Sequence, residues 1–153
     1  NPQIRYMIDV KAVKEAVSQF LIQLGYIPLD LHVRWSQTEW KINTSIFHPG
    51  IVTMKDCTEA LRALQDFLIG WLGNEDFSLD VASPGAERIL KSPLEYSLFR
   101  GKRVKLVLKS GKEAFCIIEG LNEREMIAEF LSENSQESFA FPLQEIAKCQ
   151  LVL

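Results

Sequence analysis

The sequence is poor in the residues that build catalytic and metal sites. Its 153 residues include three cysteines, Cys57, Cys116 and Cys149, and two histidines, His32 and His48. No C-x-x-C pair occurs and the histidines stand far apart, so no zinc-ligand spacing can be read and no metal is expected. A sparse, odd cysteine count argues against a disulfide framework and for a reducing compartment. Long apolar runs are missing too. The longest stretch, Phe67 to Leu72, is far below the ~20 residues that a bilayer-spanning helix needs, so no membrane contact is expected. The polar start Asn1-Pro2-Gln3 has no apolar signal core behind it, which makes the cytoplasm the expected location. Positive charge is not in excess: 17 Lys and Arg face 20 Asp and Glu, a formal charge of −3. That balance disfavours a general nucleic-acid coat held by phosphate neutralisation. With only 8 Gly and 6 Pro beside 47% hydrophobic residues, collagen and disorder are also excluded.

What is present is a sequence of well-punctuated elements. Asp9 is placed to cap a helix whose apolar positions, Val10, Val13, Val17, Phe20, Leu21 and Leu24, follow helical spacing, with Ile8 packing on Val13 as a staple and Gly25 ending it. The period then changes to two. Leu29, Leu31, Val33 and Trp35 share one face and Asp30, His32 and Arg34 the other; Trp40, Ile42, Thr44 and Ile46 repeat the alternation, which reads as a hairpin. Thr53 and Asp56 form a capping box for a second helix with the stripe Met54, Cys57, Leu61, Leu64, Leu68, Trp71 and Leu72, stopped by Gly73. Phe77 to Ala82 gives a third strand. Two helices on one face of a three-stranded sheet fit this order.

Ser83-Pro84-Gly85 is a turn in which glycine accepts a positive φ. Ser92-Pro93-Leu94-Glu95 then starts a short helix that Gly101 stops. Beyond it the helical period disappears. Val104, Leu106 and Leu108 alternate, Phe115 and Ile117 alternate back, and strands can be placed at Met126 to Leu131, Ser138 to Leu143 and Cys149 to Val152. Five short strands point to a small SH3-like barrel. The expected architecture is α+β: residues 1–92 form an N-terminal helix-strand-strand-helix-strand two-layer domain. Residues 93–153 form a C-terminal SH3-like (Sm-like) β-barrel with a short leading helix.

Candidate chemistry is thin. Cys57 lies near a helix start, where a thiol can be activated, but it also falls in the apolar stripe and reads as a core cysteine. His32 lies near Asp30 and Arg34 with no nucleophile fixed beside it, and reads as solvated. Trp35 and Trp40 read as a cross-strand core pair rather than a base-stacking platform. Arg88 has no periodic apolar role, and it reads either as a partner of Asp80 or Glu87 or as a residue that faces a ligand. Arg100, Lys102, Arg103, Lys105, Lys109 and Lys112 form the one basic concentration, either an edge strand guarded by cations or a surface that meets RNA. No phosphate loop or nucleophile-base pair is present, so no enzyme and no cofactor are expected.

The run Leu79-Asp80-Val81-Ala82-Ser83-Pro84-Gly85-Ala86-Glu87-Arg88-Ile89-Leu90 resembles the signature of the RimP family of ribosome maturation factors. There an acidic strand end leads to Ser-Pro-Gly and then Asp-Arg-Pro-Leu. Asp80 and Glu87 exchange one carboxylate for the other, and Ala82, Ala86 and Ile89 stand where Ser, Leu and Pro are usual. Val52-Thr53-Met54-Lys55-Asp56-Cys57, Phe99-Arg100-Gly101-Lys102-Arg103-Val104 and Ile146-Ala147-Lys148 are similar to further family segments in the same order. Ile117 replaces a glycine usual there. The resemblance implies a two-domain, non-catalytic, monomeric cytoplasmic factor that binds the immature small (30S) ribosomal subunit and its ribosomal protein number twelve, with rRNA contact an open matter. The partner-binding residues expected on this basis are Asp80, Ser83, Pro84, Gly85, Arg88, Gly101, Lys102, Arg103 and Lys105. The alternative is a general RNA-binding regulator with a KH-like and an Sm-like domain, which lacks the Gly-x-x-Gly loop of a KH domain.

Overall fold

The computed structural model describes residues 8–152; Asn1, Pro2 and Gln3 lie outside them. The chain is mixed α+β and divides into two compact units, 1–84 and 85–153. The division falls upstream of the boundary placed at 92/93 from the sequence, for a local reason. Leu90 N donates to Cys149 O and Leu151 N to Arg88 O, and Ile89 bridges Gln150. These bonds tie residues 88–90 to the last strand of the second unit.

The first unit runs α1 (Val10–Gln23), β1 (Ile27–Ser36), β2 (Glu39–Phe47), α2 (Met54–Leu72), β3 (Phe77–Ala82). Asp9 caps α1 through its carboxylate, which accepts from Ala12 N at 2.8 Å. Thr53 and Asp56 close a reciprocal capping box on α2, and Gly73 ends it at φ +77°, a left-handed conformation that glycine takes without a Cβ penalty. The sheet order is β1-β2-β3, with β1 antiparallel and β3 parallel to β2. A parallel neighbour requires a crossover, and α2 supplies it. Val13, Val17 and Leu21 of α1, Ala60, Leu64 and Leu68 of α2, and Trp40, Ile42 and Ile46 of β2 form one buried cluster. Each fully buried Leu or Ile contributes about 1.5–3 kcal/mol relative to exposure.

Several expectations fail here: Val10 and Leu24 of α1 and Trp71 of α2 stay exposed at the margins of their stripes, and two further residues are misplaced. Leu29 does not share a face with Leu31, Val33 and Trp35. The ladder slips between Leu29 and His32 and Asp30 sits at φ +54°, so an extra residue is inserted and Leu29 turns to the face of Ser45, away from the helices. Met54 is not in the α2 stripe either: it is almost fully exposed, and Ala60 takes the buried position.

The second unit runs α3 (Pro93–Leu98), β4 (Arg103–Leu108), β5 (Glu113–Asn122), β6 (Ile127–Ser132), β7 (Ser138–Pro142), a 3-10 turn (Leu143–Glu145) and β8 (Ile146–Leu151). Its sheet is antiparallel in the order β7-β6-β5-β4-β8. Val104, Leu106, Cys116, Ile118, Ala128, Phe130 and Cys149 are buried, as are Leu90, Tyr96 and Phe99 before the first strand. The expected barrel is not closed, since among the described residues no ladder joins β7 to β8. β7 stops at Pro142, which has no N–H to offer a partner strand, and the 3-10 turn carries the chain to the far side of β4.

Candidate functional site

Asp80 stands exposed on β3 in a cross-strand row with Asn43 and His32, on the sheet face away from the helices. Ser83 is exposed and Pro84 half-buried; with Asp80 they belong to the first unit. Gly85 and every site residue after it belong to the second. Gly85 has φ +89°, the left-handed conformation that the turn requires, and a Cβ built there would meet nothing within 4 Å. Its constraint is therefore the backbone angle and not crowding.

Arg88 is buried and holds Glu95: Nε donates to Oε1 at 2.5 Å, with the two side chains 5% and 2% exposed. Glu95 Oε2 also accepts from Lys91 N at 2.9 Å, Ser92 N at 2.8 Å and Ser92 Oγ at 3.1 Å. One carboxylate thus caps α3 and neutralises a guanidinium inside the unit. The candidate partners Asp80 and Glu87 do not include this residue, and a side chain so enclosed is placed to hold the unit together.

The basic segment leads into and follows β4, an interior strand of the second sheet. Gly101 (φ +84°) and Lys102 are locked to β5, Gly101 N donating to Ile118 O at 2.7 Å and Ile118 N to Lys102 O at 3.0 Å. Lys102 itself is exposed. Arg103 and Lys105 point to the outer face, as their alternation requires. Arg103 pairs with Glu133 and its guanidinium lies 4.9 Å from the centre of the Phe115 ring. Lys105 Nζ is 3.6 Å from Glu113 and its strand neighbours are Phe115 and Gln150. The edge-guarding account of these cations is overturned: β4 lies between β5 and β8, and the edges are β7 and β8. What remains is a half-exposed aromatic ring framed by two cations, each with its own carboxylate. Such a face has little net charge for phosphate but offers ring, guanidinium and carboxylate contacts to a polar partner.

A second polar cluster was not foreseen. His48 Nε2 lies 3.2 Å from Asp56 Oδ2 and its Nδ1 lies 2.7 Å from Pro49 O; Tyr26 OH donates to Asp56 Oδ1 at 3.4 Å. The bond to Pro49 O and the one to Asp56 raise the His48 pKa, because only the doubly protonated ring satisfies both acceptors. The Thr53 backbone N–H, followed by His48, holds Asp56 down at about 2. With both nitrogens engaged, His48 has none free to take a proton from a third group. The capping box placed Asp56 beside the preceding loop, and that was the signal available for this contact.

The thiols are quiet. Burial, then Asp56, raises the Cys57 pKa. Burial pushes Cys116 up to about 11 and Cys149 to about 12. Thiolate chemistry needs the opposite shift. Trp40 is buried against Trp35 with ring centroids 5.1 Å apart, a cross-strand pair with Trp35 at its open side. Among the described residues no three His, Cys, Asp or Glu side chains cluster as a metal site, and no helix is long and apolar enough to cross a membrane. No family model matches the chain.

Proposed function

We propose that this chain is a ribosome maturation factor of the RimP type, a monomeric, non-catalytic cytoplasmic protein that binds the immature small (30S) ribosomal subunit and its basic ribosomal protein number twelve. The observation that carries the reading is the order of the two units. A helix-strand-strand-helix-strand sheet leads through Ser83-Pro84-Gly85, with Gly85 at positive φ, into a five-stranded antiparallel unit whose last two strands flank a 3-10 turn. We take that second unit as an open SH3-like (Sm-like) barrel. Charge supports a protein partner. The first unit carries 10 Asp and Glu against 7 Lys and Arg through residue 84, which favours encounter with a cationic protein. Glu133 and Glu113 already engage the Arg103 and Lys105 that a phosphate backbone would need, and this weighs against the general RNA-binding alternative.

A salt-graded pull-down tests the reading by offering the chain immature small subunits, mature small subunits and the free basic ribosomal protein. Retention of immature subunits and of the free protein, with mature subunits lost at lower salt, is expected. Equal capture of any RNA-containing particle, with no capture of the free protein, refutes it.

A further inference from the structure

The second unit has an opening that the proposed function does not use. Leu106 and Leu108 of β4, Ala114 of β5, and Phe139 and Phe141 of β7 line an apolar cavity of about 240 Å³ with Lys112 and Glu113 at its margin. β4 and β7 are not neighbours in the sheet, so the sheet curls until edge strand β7 and interior strand β4 face one space. A second depression shares Leu108, Lys112 and Phe141 with it and adds Lys109, Ser110 and Glu145. Phe139 stacks on buried Phe130 at 5.7 Å and meets Phe141 edge-on at 5.9 Å. Both outer rings remain only half-buried, which leaves part of the core wall facing the opening.

The rim decides what fits. Lys105 engages Glu113 on the sheet's outer side, so the charges left at the margin are Lys109 and Lys112 against the single carboxylate of Glu145. Lys109 is anchored by its backbone, N–H to Glu145 O at 2.9 Å, and Leu108 N–H is bonded to Lys112 O at 2.9 Å, which fixes both lysines on a closed turn beside the cavity. β7 is also an edge strand whose outer side has no ladder among the described residues, and a free edge accepts an extended segment. Apolar floor, cationic rim and open edge together select one class of occupant.

We propose that this groove docks an extended acidic segment of a partner protein, with one leucine-sized or phenylalanine-sized side chain in the cavity and flanking carboxylates on Lys109 and Lys112. The site is separate from the acidic first unit and its cationic partner, and stands or falls independently of it.

The test uses the full chain and two labelled octapeptides with a central Leu-Phe pair, one flanked by Glu and the other by Lys. Fluorescence anisotropy is expected to give saturable binding of the acidic peptide alone. K109E/K112E should weaken it at least tenfold, as should A114W, which fills the cavity from an exposed position. Because all three residues are exposed, unchanged circular dichroism melts will show that the variants fold. If K109E/K112E melts early it is replaced by K109Q/K112Q, and if A114W melts early it is replaced by A114L, with a severalfold loss expected for each. Absence of saturable binding, equal binding of the basic peptide, or acidic-peptide binding that survives both variants overturns the proposal. Binding that survives A114W but not the lysine changes overturns the cavity assignment and with it the proposal.

Discussion

Replacing Arg88 by methionine should open the second unit while leaving the first intact. The substitution keeps most of the buried volume but removes the cation whose Nε lies 2.5 Å from Glu95, and the carboxylate stays enclosed at 2% exposure. Breaking a buried pair from one side costs about 3–5 kcal/mol, since the remaining charge loses its compensation. With a urea slope of about 1.5 kcal/mol per M for a unit this small, the midpoint should fall by about 2–3 M. The chain carries its own reporters. Trp35, Trp40 and Trp71 all precede residue 84, whereas Cys116 and Cys149 follow it. In a Cys57→Ala background, tryptophan emission reads the first unit and a chromogenic thiol reagent reads the second, whose thiols burial has raised to about 11 and 12. The thiol transition should move and the tryptophan transition should not. Adding Glu95→Gln to Arg88→Met should recover part of the loss, because a neutral amide leaves no unpaired charge while its oxygen can still accept from the Ser92 and Lys91 backbones. A thiol midpoint that shifts by less than about 1 M, or a tryptophan midpoint that shifts with it, would falsify the assignment of this pair as the internal clamp of an independent unit.

Gly85→Val should cost about 1–3 kcal/mol through its φ of +89°, while Ala86→Ser stays near neutral; thermal melts compare them, and equal stability removes the constraint on this turn. Lys102→Glu should leave the fold unchanged, but Arg103→Glu and Lys105→Glu place like charges beside Glu133 and Glu113 and should lower the melting temperature, more in low salt; three identical melts contradict the pairings. Limited proteolysis should cut first at the exposed residues 85–87, because residues 88–90 are bonded to the last strand; first cuts within residues 90–100 speak against the division at Pro84. The loop 48–53 should be held most firmly between the ordinary range of Asp56 and that of His48. His48 has a raised folded pKa, so its contribution is full below its unfolded value and lost as pH rises through the folded one. Asp56 has a lowered one, so its contribution is full above its unfolded value and lost as pH falls toward about 2. Amide exchange at Val52 and Thr53, corrected for intrinsic rates, should therefore accelerate above the His48 titration in the parent chain but not in His48→Gln; identical profiles refute a role for the His48–Asp56 contact in holding this loop.

Local chemistry was legible in the residues, and long-range chemistry was not. Asp9, Thr53 with Asp56, and Ser92 with Glu95 mark helix starts because a cap is decided within four residues. The hairpin could be placed from alternation, yet its face assignment failed at Leu29, since an aspartate at positive φ carries no signal as strong as glycine. The strand order of the second sheet depends on which strands meet after collapse, so nothing in Arg103 to Leu108 announced an interior strand. Arg103 and Glu133 stand thirty residues apart, a separation no periodicity spans. Glu95 was visible as a cap, and that local role hid its second one as the counter-ion of Arg88. Strand parity sets His32 beside Asp30 and Arg34, whereas the contact of His48 with Asp56 depends on how residues 48–53 turn.

The most direct test of the assembly role is co-sedimentation through a sucrose gradient with small subunits prepared from cells that lack this chain and from cells that have it. The account predicts that the chain travels with the immature particles from the deficient cells and leaves mature particles at moderate salt, and that Gly85→Val, if folded, loses the first association. Equal association with both particles, or with neither at any salt, contradicts it.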